Sequence, residues 1–147
     1  MGKSLSAHLG ETQELLRKMA GDTTDALLQQ AVDAIAQALR ARRPLLVCGN
    51  GGSASDAMHI AGELVGRYLK ERPAFKVIAL SANPAVLTAW SNDYEYETVF
   101  SRQVEAYGEN GGVILGISTS GNSANVVNAL KAAREMGMTA IALTGDG

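Results

Sequence analysis

The sequence predicts an α/β fold with a parallel sheet preceded by two helices, and three observations favour this class. Short apolar runs recur along the chain, and each is followed by polar or glycine-rich residues. Segments with the apolar spacing of helices separate these runs. The runs are apolar throughout rather than alternating, which is typical of strands covered on both faces. Strands that alternate with helices form parallel sheets through right-handed crossovers.

Residues 1–43 are predicted to form the two helices. The first helix has its apolar side chains near helical spacing, at Leu5, Leu9, Leu15, Leu16 and Met19. Gly21 then provides a stop, and the polar residues 22–24 provide a new N-cap. A second apolar stripe follows and ends in a basic stretch before Pro44, which favours a helix C-terminus.

Residues 44–147 are predicted to form the α/β core. The apolar runs predict strands at 45–48, 77–80, 113–117 and 140–143. Helices are predicted at about 54–70, 84–91, 95–107 and 122–136. No repeat or linker divides the chain, so we predict one domain over 1–147. Parallel sheets bind ligands beyond the carboxyl ends of their strands, so chemistry is expected just after residues 48, 81, 117 and 143.

Composition excludes several classes of partner. The formal net charge is −2, so no basic surface favours nucleic acid. The single cysteine, Cys48, cannot form an internal disulfide, which suits a reducing cytoplasm. No apolar run approaches the ~20 residues of a membrane span, and the N-terminus lacks a secretory pattern. We therefore expect a cytoplasmic protein without nucleic-acid or membrane partners.

The first strand leads into a glycine-rich loop at residues 49–55, Gly-Asn-Gly-Gly-Ser-Ala-Ser. Glycines allow positive φ and a close approach to a ligand, and the following helix would point free N–H groups at an anion. The alternative is a tight turn without a ligand. A relaxed dinucleotide fingerprint also fits, but the next strand ends at Ser81 without an acidic residue, and no Walker lysine is present. A nucleotide is therefore disfavoured.

The third strand leads into a second loop, residues 118–123, Ser-Thr-Ser-Gly-Asn-Ser. Four hydroxyls in six residues before a helix suit a phosphate without requiring lysine or arginine. An N-cap with a turn is the simpler alternative, but it would need only one of these side chains. The sequence therefore favours anion binding here.

Two further pairs of polar residues are candidates for chemistry. His59 and Glu63 are four residues apart on one predicted helix face, where they could provide an acid/base group or two metal ligands. A surface contact is the alternative, since such pairs are common on helices. Asn92 and Asp93 follow a helical turn, and a helix stop with an N-cap explains them equally well.

The quoted loops, the segment 56–64 and Ser91-Asn92-Asp93 together resemble the phosphoheptose isomerases of the sugar-isomerase (SIS) class, from about residue 8 onward. The resemblance implies a three-layer sandwich with a parallel, flavodoxin-like sheet. It also implies an enediol(ate) isomerisation of sedoheptulose 7-phosphate to D-glycero-D-manno-heptose 7-phosphate, a lipopolysaccharide precursor. Glu63 would be a catalytic acid/base and, with His59, a zinc ligand. The substrate contacts would be Asn50, Gly51, Gly52, Glu63, Asn92, Asp93, Ser118, Thr119, Ser120 and Ser123.

The resemblance further implies a homotetramer with sites shared between subunits. Family members continue through a fifth strand and a last helix, which carries a glutamine and a histidine that complete the metal site. This sequence ends at Gly147 without them, so we expect the core to be incomplete and the chain alone to be inactive. The rival hypothesis is a non-catalytic SIS domain that binds a phosphosugar or a protein such as a replication initiator. A third hypothesis is a nucleotide-dependent enzyme, which the missing acidic residue and Walker lysine disfavour.

Overall fold

The computed structural model describes residues 2–20 and 22–145. The chain divides into two compact units, Met1–Asp33 and Ala34–Gly147. The first unit contains α1 (Leu5–Met19) and the start of α2 (Asp22–Arg40). Both predicted N-terminal helices are therefore present, whereas the stop predicted at Gly21 lies outside the described residues.

The N-terminal unit carries a set of exposed apolar side chains. Helix α1 begins at a capped end, because the Ser4 hydroxyl accepts the N–H of Ala7 at 3.3 Å. The large apolar residues that remain exposed in this unit are Leu5, Leu9, Leu15, Leu16, Met19, Leu27, Leu28 and Val32.

The second unit is built on four parallel strands. They are β1 (Leu45–Gly49), β2 (Val77–Ala79), β3 (Val113–Ser118) and β4 (Thr139–Thr144), in the order β2-β1-β3-β4. This order is that of the first four strands of a flavodoxin-like sheet. The predicted α/β class with a parallel, flavodoxin-like sheet is confirmed.

The helices of the second unit agree with the prediction except at two places. They are α3 (Gly52–Val65), α4 (Pro84–Asp93), α5 (Val99–Tyr107) and α6 (Ala124–Glu135). Helix α3 ends earlier than the predicted residue 70, because the Arg72 guanidinium donates to the carbonyls of Glu63 and Leu64 and so satisfies its last turn. The predicted helix at 95–107 is a short 3₁₀ turn, Tyr96–Thr98, followed by α5.

Helices cover the sheet on both faces, and alternate strand residues point to opposite sides. On one face, Leu46 and Cys48 of β1 pack with Phe100 of α5 and Ala129 of α6. On the other, Leu45 and Val47 pack with the end of α2 and with α3, through Leu39 and Ala57. These layers are those of the predicted three-layer sandwich.

Strand β4 departs from the burial predicted for it. Its apolar run led us to expect cover on both faces, but most of its residues are exposed, and Leu143 is 58% exposed. Two of its apolar side chains are partly buried: Ala140 packs against the core on one face of the sheet, and Ile141 packs against the core on the other. The edge formed by β4 is therefore the least covered part of the sheet.

The only cysteine, Cys48, lies in the core on the face of the sheet that α5 and α6 cover. Cys48 has no exposed surface, and burial raises the pKa of its thiol to about 12. The thiol is therefore neutral at physiological pH, and it packs as a small apolar group. Within the described ranges, no helix is long and apolar enough to cross a membrane.

A surface carboxylate ties together the amino ends of three strands. Glu109 precedes β3, and it pairs with Arg43 before β1 at 3.2 Å and with Lys76 before β2. Hydrogen bonds from Lys76 and then from Arg43 hold the pKa of Glu109 below its ordinary value. The charged form of Glu109 therefore favours the folded state.

We expect the Glu109→Gln substitution to lower the melting temperature at pH 7 and to have little effect in acid. The pKa of Glu109 is lower in the folded than in the unfolded protein, so its charged form stabilises the fold at pH values above the unfolded-state pKa. This stabilisation is lost as the pH falls through the folded-state pKa. Since exposed ion pairs are worth little, the difference at pH 7 should be small. Thermal melts of the unchanged protein and of Glu109→Gln, from pH 7 down to well below the ordinary pKa of 4.5, measure this difference.

The matched control is Glu105→Gln, which removes a carboxylate that pairs with Arg102 on the same helix and makes no link between strands. A difference between Glu109→Gln and the unchanged protein that persists at low pH would contradict the linkage.

Candidate functional site

The first loop forms where β1 turns sharply into α3. A Cβ on Gly49 would lie 2.7 Å from the Cβ of Ser53, so only glycine allows the strand end to approach the helix this closely. Gly51 has φ of 55° and ψ of −121°, a conformation that side chains disfavour. Gly51 also occupies the N-cap position of α3, and no side chain caps the helix there. Helix α3 thus begins at the carboxyl edge of the sheet without a side-chain cap, and the backbone carbonyls of Asn50 and Gly51 accept the N–H groups of Ser53 and Ala54.

The second loop lies between β3 and α6. Ser118 is 6% exposed, and its hydroxyl lies 3.0 Å from the hydroxyl of Ser123. Ser123 occupies the N-cap position of α6, yet its side chain makes no capping bond. Ser120 accepts the N–H of Asn122 at 3.3 Å, so the turn predicted as the simpler alternative is present at that residue. The capping hydrogen bond that the same alternative requires is absent at Ser123.

The N-cap residues of the helices differ in whether their side chains bond the helix end. Helices α1 and α4 begin with side-chain caps, from Ser4 and from Asn83 respectively. The N-cap residues of α3 and α6, the helices that begin at the two candidate loops, make no such bond, and neither does that of α5. In α6 the Asn125 side chain instead accepts the N–H of Val126. No ionisable side chain occurs in residues 49–55 or 118–125. The loops therefore offer backbone N–H groups, hydroxyls and helix dipoles to an anion, without a formal positive charge.

Side-chain amides join the two loops. Strands β1 and β3 are neighbours, with Gly49 opposite Ile117. Asn50 in the first loop and Asn125 in the first turn of α6 donate to each other, each at 2.9 Å. The Tyr96 hydroxyl also donates to Asn50 Oδ1 at 3.2 Å. The loops therefore form one site, and the segment after α4 reaches the same place.

Asn92 and Asp93 lie at the end of α4 rather than at the start of a new helix. The N-cap that the sequence suggested for them is therefore wrong, whereas the helix stop is correct. Asn92 donates to the Asp93 carboxylate at 2.8 Å. Trp90 and Tyr94 stack beside them with ring centroids 4.2 Å apart. The chain then reaches Tyr96, which is the contact that connects this segment with the first loop.

His59 and Glu63 share a face of α3, as predicted, but they lie away from the loops. Their nearest atoms, His59 Nε2 and Glu63 Oε1, are 4.0 Å apart, too far for a hydrogen bond. The two side chains are 78% and 37% exposed. At the rise of an α-helix, Glu63 lies about 16 Å along α3 from its first residue. Glu63 therefore lies far along α3 from the loop at which the helix begins.

The described residues do not complete a metal site. His59 and Glu63 could supply two ligands, and zinc usually takes at least three from protein. Across residues 2–20 and 22–145, no group of three or more His, Cys, Asp and Glu side chains is placed to hold an ion. A metal at His59 and Glu63 would need further ligands from elsewhere.

Four residues of this edge escaped the sequence analysis as candidates. Asn125 and Tyr96 hold Asn50, and buried Gln103 donates to the Leu80 carbonyl where β2 ends. Ser81 Oγ is buried and makes no hydrogen bond to any described group. Because each acts through a neighbour that is distant in sequence or through burial, no local pattern marks it.

Comparisons with known proteins agree with this architecture. The SIS domain model matches residues 8–145. A phosphoheptose isomerase of Bradyrhizobium is 51% identical over 144 residues, which cover 96% of this chain and 72% of the relative. One from Crocosphaera subtropica is 52% identical over 119 residues, 81% of this chain and 61% of the relative. The chain thus spans between three fifths and three quarters of the length of these relatives.

Solved structures give the same result. The phosphoheptose isomerase of Neisseria gonorrhoeae has a TM-score of 0.86 at 42% identity, covering 97% of this chain and 73% of that one. The enzyme of Francisella tularensis has a TM-score of 0.90 at 33% identity, covering 97% and 74%. On the matched domain, the sequence identity and the shared fold, this chain belongs to the SIS-domain family and, within it, to the phosphoheptose isomerases.

Proposed function

We propose that this chain provides the phosphate-binding loops and one acid/base group of an isomerase that converts sedoheptulose 7-phosphate to D-glycero-D-manno-heptose 7-phosphate. The observation that carries the proposal is the pair of joined loops, at which two helices begin whose N-cap residues make no side-chain capping bond. The relatives are phosphoheptose isomerases, which supplies the reaction class.

The phosphate would bind at the second loop. Ser118, Thr119, Ser120 and Ser123 carry hydroxyls there, and the first N–H groups of α6 lie beside them. Ser123 is free to turn its hydroxyl to a ligand, because its present partner is another hydroxyl rather than the helix end. Binding energy from the phosphate would orient the sugar for reaction.

We expect Ser123→Ala to weaken the binding of sedoheptulose 7-phosphate and of inorganic phosphate by about tenfold each. Hydrogen bonds to charged groups are worth roughly 1.5–3 kcal/mol, and tenfold corresponds to about 1.4 kcal/mol. Titration calorimetry measures both dissociation constants. Ser101→Ala is the control, because Ser101 lies on α5 and bonds the Thr98 carbonyl. Unchanged phosphate affinity in Ser123→Ala would refute this assignment.

Glu63 would act as one acid/base group. In a ketose-to-aldose isomerisation, a base removes a proton from the carbon beside the carbonyl and gives an enediol(ate). An acid then returns a proton to the former carbonyl carbon, while the hydroxyl proton moves between the two oxygens. A carboxylate near the reacting carbons suits either role. Asn50, Gly51, Gly52, Asn92 and Asp93 would hold the sugar between this group and the phosphate.

The position of Glu63 supports a site shared between subunits. Carbon–carbon bonds are about 1.5 Å long, so the six bonds of a heptose chain span at most about 9 Å. Glu63 lies about 16 Å along α3 from the first loop, which is farther than the carbon chain of the sugar extends. A second copy would therefore bring its Glu63 to the loops, in keeping with the homotetramer implied by the family.

We expect Glu63→Gln to lower kcat by about 10²–10⁴-fold and to leave phosphate affinity within twofold, because the amide keeps the shape and loses the proton transfer. NMR of sedoheptulose 7-phosphate in D₂O with the full-length protein follows both product and deuterium entry beside the carbonyl. Glu71→Gln, at an exposed ion pair after α3, is the control.

Mixing the Glu63→Gln and Ser123→Ala proteins tests the shared site. At substrate concentrations below the dissociation constant of Ser123→Ala, hybrid assemblies should be more active than either protein alone, since some sites then receive an intact loop and an intact glutamate. Wild-type turnover in Glu63→Gln would remove Glu63 from the mechanism. A full-length protein that binds the sugar phosphate without any turnover would instead favour a binding module.

Zinc is proposed at His59 and Glu63 with further ligands from outside the described residues. We expect His59→Ala to lower the zinc affinity of the full-length protein at least tenfold, because one of few ligands is lost. Metal analysis after equilibrium dialysis measures bound zinc. His8→Ala, which changes the other histidine, is the control. Equal zinc binding by both variants would exclude His59 as a ligand.

A further inference from the structure

The side chain of Asn125 has a role that the proposed function does not yet use. It lies in the first turn of α6 and is 3% exposed. A carboxamide has two N–H donors and one oxygen that accepts up to two hydrogen bonds, so its orientation decides what it can bind.

A backbone group fixes the orientation of Asn125. The N–H of Val126 lies 3.0 Å from Asn125 Oδ1. A backbone N–H can only donate, so the oxygen of Asn125 has to face it, and its Nδ2 group lies at the other end. A reversed carboxamide would direct one N–H group against another.

The orientation of Asn50 follows from that of Asn125. Asn50 Nδ2 donates to Asn125 Oδ1, and Asn125 Nδ2 donates to Asn50 Oδ1, each at 2.9 Å. The Tyr96 hydroxyl is a second donor to Asn50 Oδ1, at 3.2 Å. Both acceptor positions of Asn50 are therefore occupied, and one of its two N–H donors is engaged. One N–H of Asn50 remains for a ligand.

We propose that Asn125 is a positioning residue, which holds Asn50 so that its carboxamide presents one N–H donor, and no acceptor, to the sugar phosphate. The inference rests on the proposed function in so far as Asn50 contacts substrate. It adds a direction to that contact, since the substrate atom at Asn50 has to be an oxygen that accepts a hydrogen bond. It also gives Asn125 a role in catalysis without contact with the substrate.

The unmodified protein provides the first test. In NMR spectra of the side-chain amides, one carboxamide proton of Asn50 should exchange slowly with solvent, because Asn125 holds it. The other should exchange faster and shift when sedoheptulose 7-phosphate is added. If both protons exchange at the same rate, the paired arrangement is absent and the inference is overturned.

The second test compares Asn125→Ala with Asn128→Ala. Asn128 lies on the same helix and donates to the Glu97 carbonyl, so it is a matched asparagine outside the loops. In Asn125→Ala, the dissociation constant of sedoheptulose 7-phosphate should rise about tenfold, as expected for a freed hydrogen-bond partner. That of inorganic phosphate should stay within twofold. Asn128→Ala should leave both unchanged.

Each other outcome decides the question. Equal weakening of phosphate and sugar phosphate would place Asn125 in the phosphate loop itself and overturn the inference, as would no change in either. Should Asn125→Ala not fold, Tyr96→Phe removes the other donor to Asn50 at an exposed site and should shift affinity in the same pattern. If the unmodified protein binds phosphate but not the sugar phosphate, the proposed function fails, while the exchange rates of Asn50 still decide its positioning.

Discussion

The burial of β1 on both faces is the constraint on which the site depends. All five residues of β1 are buried, and the strand pairs with β2 on one side and β3 on the other. Because its side chains fill both core clusters, a shift of register would move the apolar set of each face to the other. The fixed register sets Gly49 opposite Ile117, so the two loops that follow leave the sheet side by side. The hydrogen bonds between Asn50 and Asn125 are a consequence of that alignment.

Much of the fold was predictable because the information is local. Four apolar runs separated by helical segments indicate a parallel sheet, and all four became strands. The end of α3 was not predictable, since Arg72 reaches back along the chain to cap it and its partners are backbone carbonyls. The exposure of β4 was not predictable either. Its apolar run resembles those of β1 and β3, and burial depends on what packs against the strand rather than on its own composition.

The candidate site likewise has features that the local sequence predicts and features that depend on distant contacts. Glycine and serine reveal the two loops, because a turn with positive φ and a concentration of hydroxyls are properties of a short segment. Asn125 gave no such signal, since its partner is 75 residues away, and an asparagine in a first helical turn passes for a cap. The role of Glu63 came from the family resemblance, because a His–Glu pair at helical spacing is usually a surface contact. Local pattern thus located the two candidate loops, whereas tertiary contacts identify the side chains that orient them.

Separating the proposed base from the phosphate loop has an electrostatic consequence. A carboxylate acts as a base only when it is ionised, and a phosphate dianion close by would raise the pKa of any carboxylate beside it. The loops contain no lysine or arginine to neutralise the phosphate, and helix dipoles act only within about the first turn. A phosphate bound at the loops as proposed would therefore keep most of its charge toward the rest of the site. In a seven-carbon ketose phosphate the phosphate and the carbonyl lie near opposite ends, so a carboxylate base at the carbonyl end would be kept apart from the phosphate and both would stay ionised.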